Sequence, residues 1–229
     1  MTDPTPPAPA AVLWDFDGTL ADTEPLWIAA EYELVGRLGG HWSDEHAHQL
    51  VGNSLLDSGS YILHAIGRED LDPAWVVDQL IGQVIANLLE GPIPWRPGAL
   101  ELLEALVRAG VPCALVSASY RVLLNAALDR LPAGTFAVSV AGDEVRNGKP
   151  HPEPYERACA ALAVNPRQCV VIEDSENGAR SGNAAGALVL AVPNHVPIPP
   201  APRRVQVGSL ADLDVAALGR LLGEADALV

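Results

Sequence analysis

The chain has 229 residues, 49% of them hydrophobic and only 5% aromatic, which suffices for one large domain or a domain with a modest inserted one. A formal charge of −15 argues against nucleic acid and anionic membranes as partners, since both are polyanions, and any anionic substrate would need strong local positive charge. Cys113, Cys159 and Cys169 are odd in number and form no C-x-x-C pair, so neither a disulfide framework nor a zinc site is indicated.

Residues 1–10 (MTDPTPPAPA) read as a disordered, proline-rich lead with neither the basic region nor the apolar stretch of a signal peptide. No run approaches the ~20 apolar residues of a membrane helix, and a cytoplasmic protein is expected. Ala11–Trp14 (AVLW) is a short apolar run of the kind that forms a buried strand. Residues 22–96 then read as helix after helix. Thr23-Glu24-Pro25 opens one that runs to about Leu38, Ser43 can cap a second, and Asp72 before Pro73 opens a third. Pro92 to Gly98 is a linker back to the sheet. Gly98 to Ala109 has helical spacing and stops at Gly110. Strands are expected at 113–116, 138–140, 169–172 and 188–192, with helices at 154–162 and 177–185. A proline-rich loop, Val196 to Pro202, precedes a last strand at 204–207 and a closing helix from Leu210 to Leu222. The fold class is α/β: a Rossmann-like parallel sheet core from residues 11–21 and 97–229, with a helical bundle from 22–96 inserted after the first strand.

The chemistry gathers where the strands end. Asp15 and Asp17 of DFDGTL are two apart, share one side of the strand, and converge at its carboxyl end, the usual ligand edge of open α/β sheets. Gly18 permits a sharp turn after them. A lone D-x-D-G is as readily a turn or a calcium-loop fragment, but the further calcium ligands are missing. Later strand ends carry Ser117-Ala118-Ser119, with hydroxyls and backbone N–H groups for phosphate oxygens, and the paired carboxylates Glu173-Asp174. Lys149, in a lysine-poor chain, lies in Asn147-Gly148-Lys149-Pro150 ahead of a helix. Singly, these are a turn residue, a helix cap and a solvated lysine. Together they form a nucleophile and acid, a hydroxyl, a lysine and metal carboxylates.

In that order, DFDGTLADTE, LVSAS, GKPHPEPY and VIEDSENG resemble the four motifs of the haloacid dehalogenase-like hydrolase superfamily, in its phosphatase and β-phosphoglucomutase branch. The resemblance runs from about residue 11 to 222 and implies a phosphatase acting on a small phosphorylated metabolite. It implies Mg2+ held by the Asp15 carboxylate, the Asp17 carbonyl and Asp174, with Glu173 binding directly or through water. Asp15 would form an aspartyl-phosphate, and Asp17 would protonate the leaving oxygen and later activate water. Thr19, Ser117, the Ala118 N–H and Lys149 would hold phosphate oxygens. Asp17 argues against dehalogenation, since a halide leaving group needs no proton. The helical insertion resembles the cap of this branch. Gly52-Asn53-Ser54 is then either its substrate-facing loop or an ordinary inter-helix turn, and Ser119 and Arg121 could contact a distal substrate group. β-Phosphoglucomutases carry basic residues in the cap loop and a histidine after motif one, where this chain has Val51, Leu55 and Trp27. That departure favours hydrolysis, and the apolar loop Leu50 to Leu56 suggests a leaving group with few charges. A phosphomutase and a catalytically inactive binding protein are the alternatives.

Overall fold

A computed structural model describes residues 7–50 and 53–227. After β1 (Ala11–Trp14) come the helices α1 (Glu24–Arg37), α2 (Asp44–His48), α3 (Leu55–Ala65) and α4 (Pro73–Glu90). The chain then alternates through α5 (Ala99–Arg108), β2 (Cys113–Val116), α6 (Arg121–Leu128), β3 (Val138–Val140), α7 (Glu153–Leu162), β4 (Cys169–Glu173), α8 (Glu176–Ala184) and β5 (Leu188–Ala191), and closes with β6 (Arg204–Gln206) and α9 (Val215–Ala227).

The strands form a six-stranded sheet in the order β3-β2-β1-β4-β5-β6, parallel at each pairing. Helices on both faces leave its centre no solvent-facing side, which is why AVLW, CALV and LVLA carry no polar alternation and are buried throughout. Each fully buried Val or Leu contributes about 1.5–3 kcal/mol. The chain winds outward through β2 and β3, then returns past β1 to lay β4 on its other side. That reversal is the switch point at which open α/β sheets bind ligands. Trp14 pairs with Leu115 on one side and Ile172 on the other, so the residues just beyond these partners emerge together at the carboxyl edge.

By contact the described chain divides into two compact units. One is the sheet with its helices; the other comprises Thr23–Pro94 and Val122–Arg130. In the helical unit, Ser43, Ser54 and Asp72 cap α2, α3 and α4 through their side chains. α4 buries Val76, Val77, Leu80, Ile81, Val84 and Leu88, a stripe at helical spacing. Arg130 donates to the carbonyls of Leu88 and Gly91, satisfying acceptors that the end of α4 leaves open.

Several elements differ from the sequence reading. α6 has no local capping signal, because its first N–H is accepted by Asp143 at 2.8 Å, far along the chain. The expected closing helix 210–222 is instead a single 3-10 turn, Leu210–Asp212, followed by α9. Asp214 accepts the Ala217 N–H at 2.6 Å and starts the helix afresh. Of the expected disordered lead, residues 1–6 lie outside the described residues, while the Ala10 N–H donates to the Gln168 carbonyl at 2.8 Å. Among the described residues no helix is long and apolar enough to cross a membrane.

Candidate active site

Asp15 follows β1 directly, and its N–H donates to the Ile172 carbonyl at 3.1 Å, so the nucleophile candidate is held by the neighbouring strand. The chain then folds back tightly: the Gly18 N–H donates to the Ala21 carbonyl at 2.7 Å, and Leu20 and Ala21 both donate to the Phe16 carbonyl. Gly18 has φ +84, and a Cβ there would overlap the Asp174 carboxylate. Glycine therefore serves both the turn and the approach of the motif-four acid. Thr19 is buried, and its hydroxyl donates to Asp174 Oδ1 at 3.2 Å.

Lys149 reaches the same edge from the loop after β3. Glu153 ties that loop together, accepting the N–H groups of Arg146 (2.8 Å) and Asn147 (3.0 Å) and the Asn147 amide (2.9 Å). The Lys149 ammonium spends its three protons on Asp15 Oδ1 (2.7 Å), the Val116 carbonyl (2.9 Å) and Glu173 Oε1 (2.6 Å). Glu173 is fully buried and also accepts the Tyr155 hydroxyl at 2.7 Å and the Ser175 hydroxyl at 3.1 Å. Asp17 Oδ2 accepts the hydroxyls of Ser119 (2.7 Å) and Ser117 (3.1 Å).

Asp15, Asp17, Thr19, Ser117, Ser119, Lys149, Glu173 and Asp174 thus form one cluster at the sheet edge. Ala118 is exposed there, with its carbonyl against Gly142, where a Cβ would collide. Arg121 is engaged elsewhere, its guanidinium on Glu144 (2.6 and 3.0 Å) and on the Ser139 hydroxyl and carbonyl (2.8 and 3.1 Å). Asn53 and Ser54 belong to the helical unit. The Asn53 amide donates to the Gln49 carbonyl, and Ser54 caps α3 while donating to Asp57. Gly52 and Val51 lie outside the described residues.

Electrostatics sets the character of the cluster. Asp15, Glu173 and Asp174 each present an oxygen, and all of these lie within 4.8 Å of one another. At an effective dielectric of 20, two unit charges at that separation repel by at least about 3 kcal/mol. Burial, and then the charge of Glu173, push the Asp15 carboxyl up to about 7 against the opposing pull of Lys149. Burial, and then Asp15 and Glu173, raise Asp174 well above the usual carboxylate range. Burial opposes the charge on Lys149, but Asp15 and Glu173 outweigh it and hold the ammonium above its ordinary value. One ammonium leaves these buried carboxylates short of positive charge.

Comparison with known proteins gives the family of the chain. Residues 9–186 match the family model described as haloacid dehalogenase-like hydrolase. The chain belongs to the haloacid dehalogenase-like hydrolase family. It is 31% identical over 189 residues to the bifunctional riboflavin kinase/FMN phosphatase of Arabidopsis thaliana, covering 81% of this chain but only 48% of that protein. It is 33% identical over 182 residues to hexitol phosphatase A of Escherichia coli (strain K12), covering 79% and 81% of the two chains. Among solved structures, CbbY from Rhodobacter sphaeroides in complex with phosphate superposes with a TM-score of 0.83 at 30% identity, covering 92% of this chain and 99% of that one.

For a haloacid dehalogenase-like hydrolase, the donor set suits a hard divalent cation: oxygens only, no nitrogen or sulfur, and more buried negative charge than Lys149 offsets. Sequence reasoning missed Tyr155 and Ser175 as partners of Glu173. A tyrosine on the buried face of α7 needs an acceptor for its hydroxyl, and that requirement was the available signal.

Proposed function

We propose that the chain is a Mg2+-dependent phosphatase that hydrolyses a small-molecule phosphate monoester through an aspartyl-phosphate on Asp15. The observation that carries this reading is the Lys149 ammonium held 2.7 Å from Asp15 within a cluster of buried carboxylates. A carboxylate nucleophile and a phosphate ester repel each other, and the site is built to lower that repulsion. Asp15, Asp174 and the Asp17 carbonyl would hold the cation, which supplies positive charge to offset the phosphoryl oxygens.

In the first half-reaction an Asp15 oxygen forms a bond to phosphorus as the ester P–O bond breaks, and Asp17 delivers a proton to the departing oxygen. In the second, Asp17 takes a proton from water as the water oxygen bonds to phosphorus and the Asp15–phosphorus bond breaks, releasing inorganic phosphate. Lys149, the Ser117 hydroxyl and the Ala118 N–H serve the equatorial oxygens as charge redistributes. Substrate entry would free the Ser117 hydroxyl from Asp17. Thr19 serves Asp174, and Arg121 is left out of the substrate set because its guanidinium is occupied. The helical unit carries leaving-group selection in this reading, and water, rather than a second substrate molecule, accepts the phosphoryl group.

Phosphate release from p-nitrophenyl phosphate and acetyl phosphate, with Mg2+ and with EDTA, tests the proposal. Mg2+-dependent release is expected, and Asp15→Asn is expected to lower it by at least about 1,000-fold, because the amide is a poor nucleophile. Near-normal turnover by Asp15→Asn would rule out the covalent route. No turnover of any ester by folded protein with Mg2+ would rule out the phosphatase.

A further inference from the structure

Glu173 and Asp174 are adjacent in sequence and both stand in the carboxylate cluster, yet their surroundings differ. An ionised carboxylate has about four lone-pair sites. On Glu173 four donors are present: the Lys149 ammonium (2.6 Å) and Tyr155 hydroxyl (2.7 Å) on Oε1, and the Ser175 hydroxyl (3.1 Å) and N–H (3.4 Å) on Oε2. Asp174 accepts the Thr19 hydroxyl at 3.2 Å. Gly178 lets Glu173 sit this deep, because a Cβ there would overlap its carboxyl group. A cation taking a lone pair on Glu173 would strip a donor from a fully buried carboxylate, an expensive exchange.

Tyr155 completes this donor set. It is fully buried on α7, its hydroxyl points at Glu173, and its ring lies 5.1 Å from the Lys149 ammonium. The one side chain therefore touches both members of the Glu173–Lys149 ion pair. We propose that Glu173 is a holder of Lys149 rather than a metal ligand, and that Tyr155 is a positioning residue whose hydroxyl shares Oε1 with the ammonium and so leaves Lys149 placed on Asp15. Without that hydroxyl, Oε1 has Lys149 as its remaining donor, and the ammonium is drawn from Asp15 toward Glu173. The kinetic part of this inference rests on the phosphatase reading; the metal-binding part does not.

The test uses the 229-residue chain and its Tyr155→Phe, Glu173→Gln and Asp174→Asn variants. Mn2+ binding is followed by electron paramagnetic resonance, and kcat and KM are measured with p-nitrophenyl phosphate and Mg2+. Tyr155→Phe keeps the ring and its packing; it is expected to lower kcat about 10-fold with KM and Mn2+ affinity within about 2-fold of the wild type, the pattern of a group that acts in the transition state. Glu173→Gln is expected to lower kcat by about 100-fold or more while Mn2+ affinity stays within about 3-fold, whereas Asp174→Asn weakens Mn2+ binding by at least about 10-fold. Tyr155→Phe kinetics within 2-fold of the wild type, or Glu173→Gln weakening Mn2+ binding as much as Asp174→Asn, would overturn the proposal. A wild-type protein that binds Mn2+ but hydrolyses nothing would defeat the phosphatase reading, and the Mn2+ comparison would still decide whether Glu173 is a ligand.

Discussion

Glu31 shows how much one side chain can carry. It is buried on α1, and its Oε2 accepts the Trp42 indole N–H at 3.1 Å. Burial is the main reason its carboxyl rises from the ordinary 4.5 to about 7; the Trp42 hydrogen bond opposes the rise and Glu24 adds to it. For an acid whose folded value is raised, the associated stability is full below pH 4.5 and is lost as the pH climbs to about 7. At pH 8 the ionised carboxylate therefore costs roughly 3 kcal/mol. Glutamine keeps an oxygen for Trp42 and carries no charge. Glu31→Gln is expected to raise Tm by about 6–12 °C at pH 8 and by about 0–2 °C at pH 4.5. Calorimetry at the two pH values checks this, and an equal shift at both would show that Glu31 is not the origin of the cost.

At the scale of elements, what was legible in sequence was whatever is encoded locally. AVLW, CALV and LVLA are readable because burial on both sheet faces makes composition itself the signature. Ser43 and Asp72 announce their helices because a cap lies next to what it caps. α6 gave no such sign because Asp143 caps it from a distant loop, and the role of Tyr155 gave none because its acceptor is 18 residues on. Gly18 is intermediate. Its turn is legible from DFDG, but its clearance for Asp174 depends on a strand end far along the chain. This separates two glycines of similar backbone. Gly18 has φ +84 and Asp174 against it; Gly110, at the end of α5, has φ +71 and open space. Alanine at either position should cost about 1–2 kcal/mol for the left-handed backbone. Gly18→Ala alone is expected to displace Asp174 and weaken Mn2+ binding by about 10-fold or more. Melting curves and Mn2+ titrations of the two variants decide it; wild-type Mn2+ affinity in Gly18→Ala would show that the clearance is immaterial.

Across the whole molecule, charge limits the substrate. Lys149 is the only lysine in a chain of net charge −15, and it is already engaged by Asp15 and Glu173. Most arginine side chains are engaged within the chain: Arg37, Arg68, Arg108, Arg121, Arg167, Arg203 and Arg204 by carboxylates, Arg96 by Asn194 and a carbonyl, and Arg130 and Arg157 by carbonyls. The exposed Arg146, Arg180 and Arg220 remain. A second phosphate or a carboxylate on the leaving group would meet an acidic field with little fixed positive charge to receive it. Fructose 6-phosphate is therefore expected to be hydrolysed with a kcat/KM about 10-fold or more above that for fructose 1,6-bisphosphate, and glycerol 3-phosphate similarly above 2-phosphoglycolate. Because the discrimination is electrostatic, it should narrow between about 20 mM and 500 mM salt, as the screening length contracts from roughly 20 Å to 4 Å. The measurement is initial phosphate release for both pairs at both salt concentrations, with Mg2+ saturating. Preference at low salt for the member of either pair that carries the second anionic group would show that a cation in this chain changes partners to meet its substrate, with Arg121 leaving Glu144 the first exchange to test.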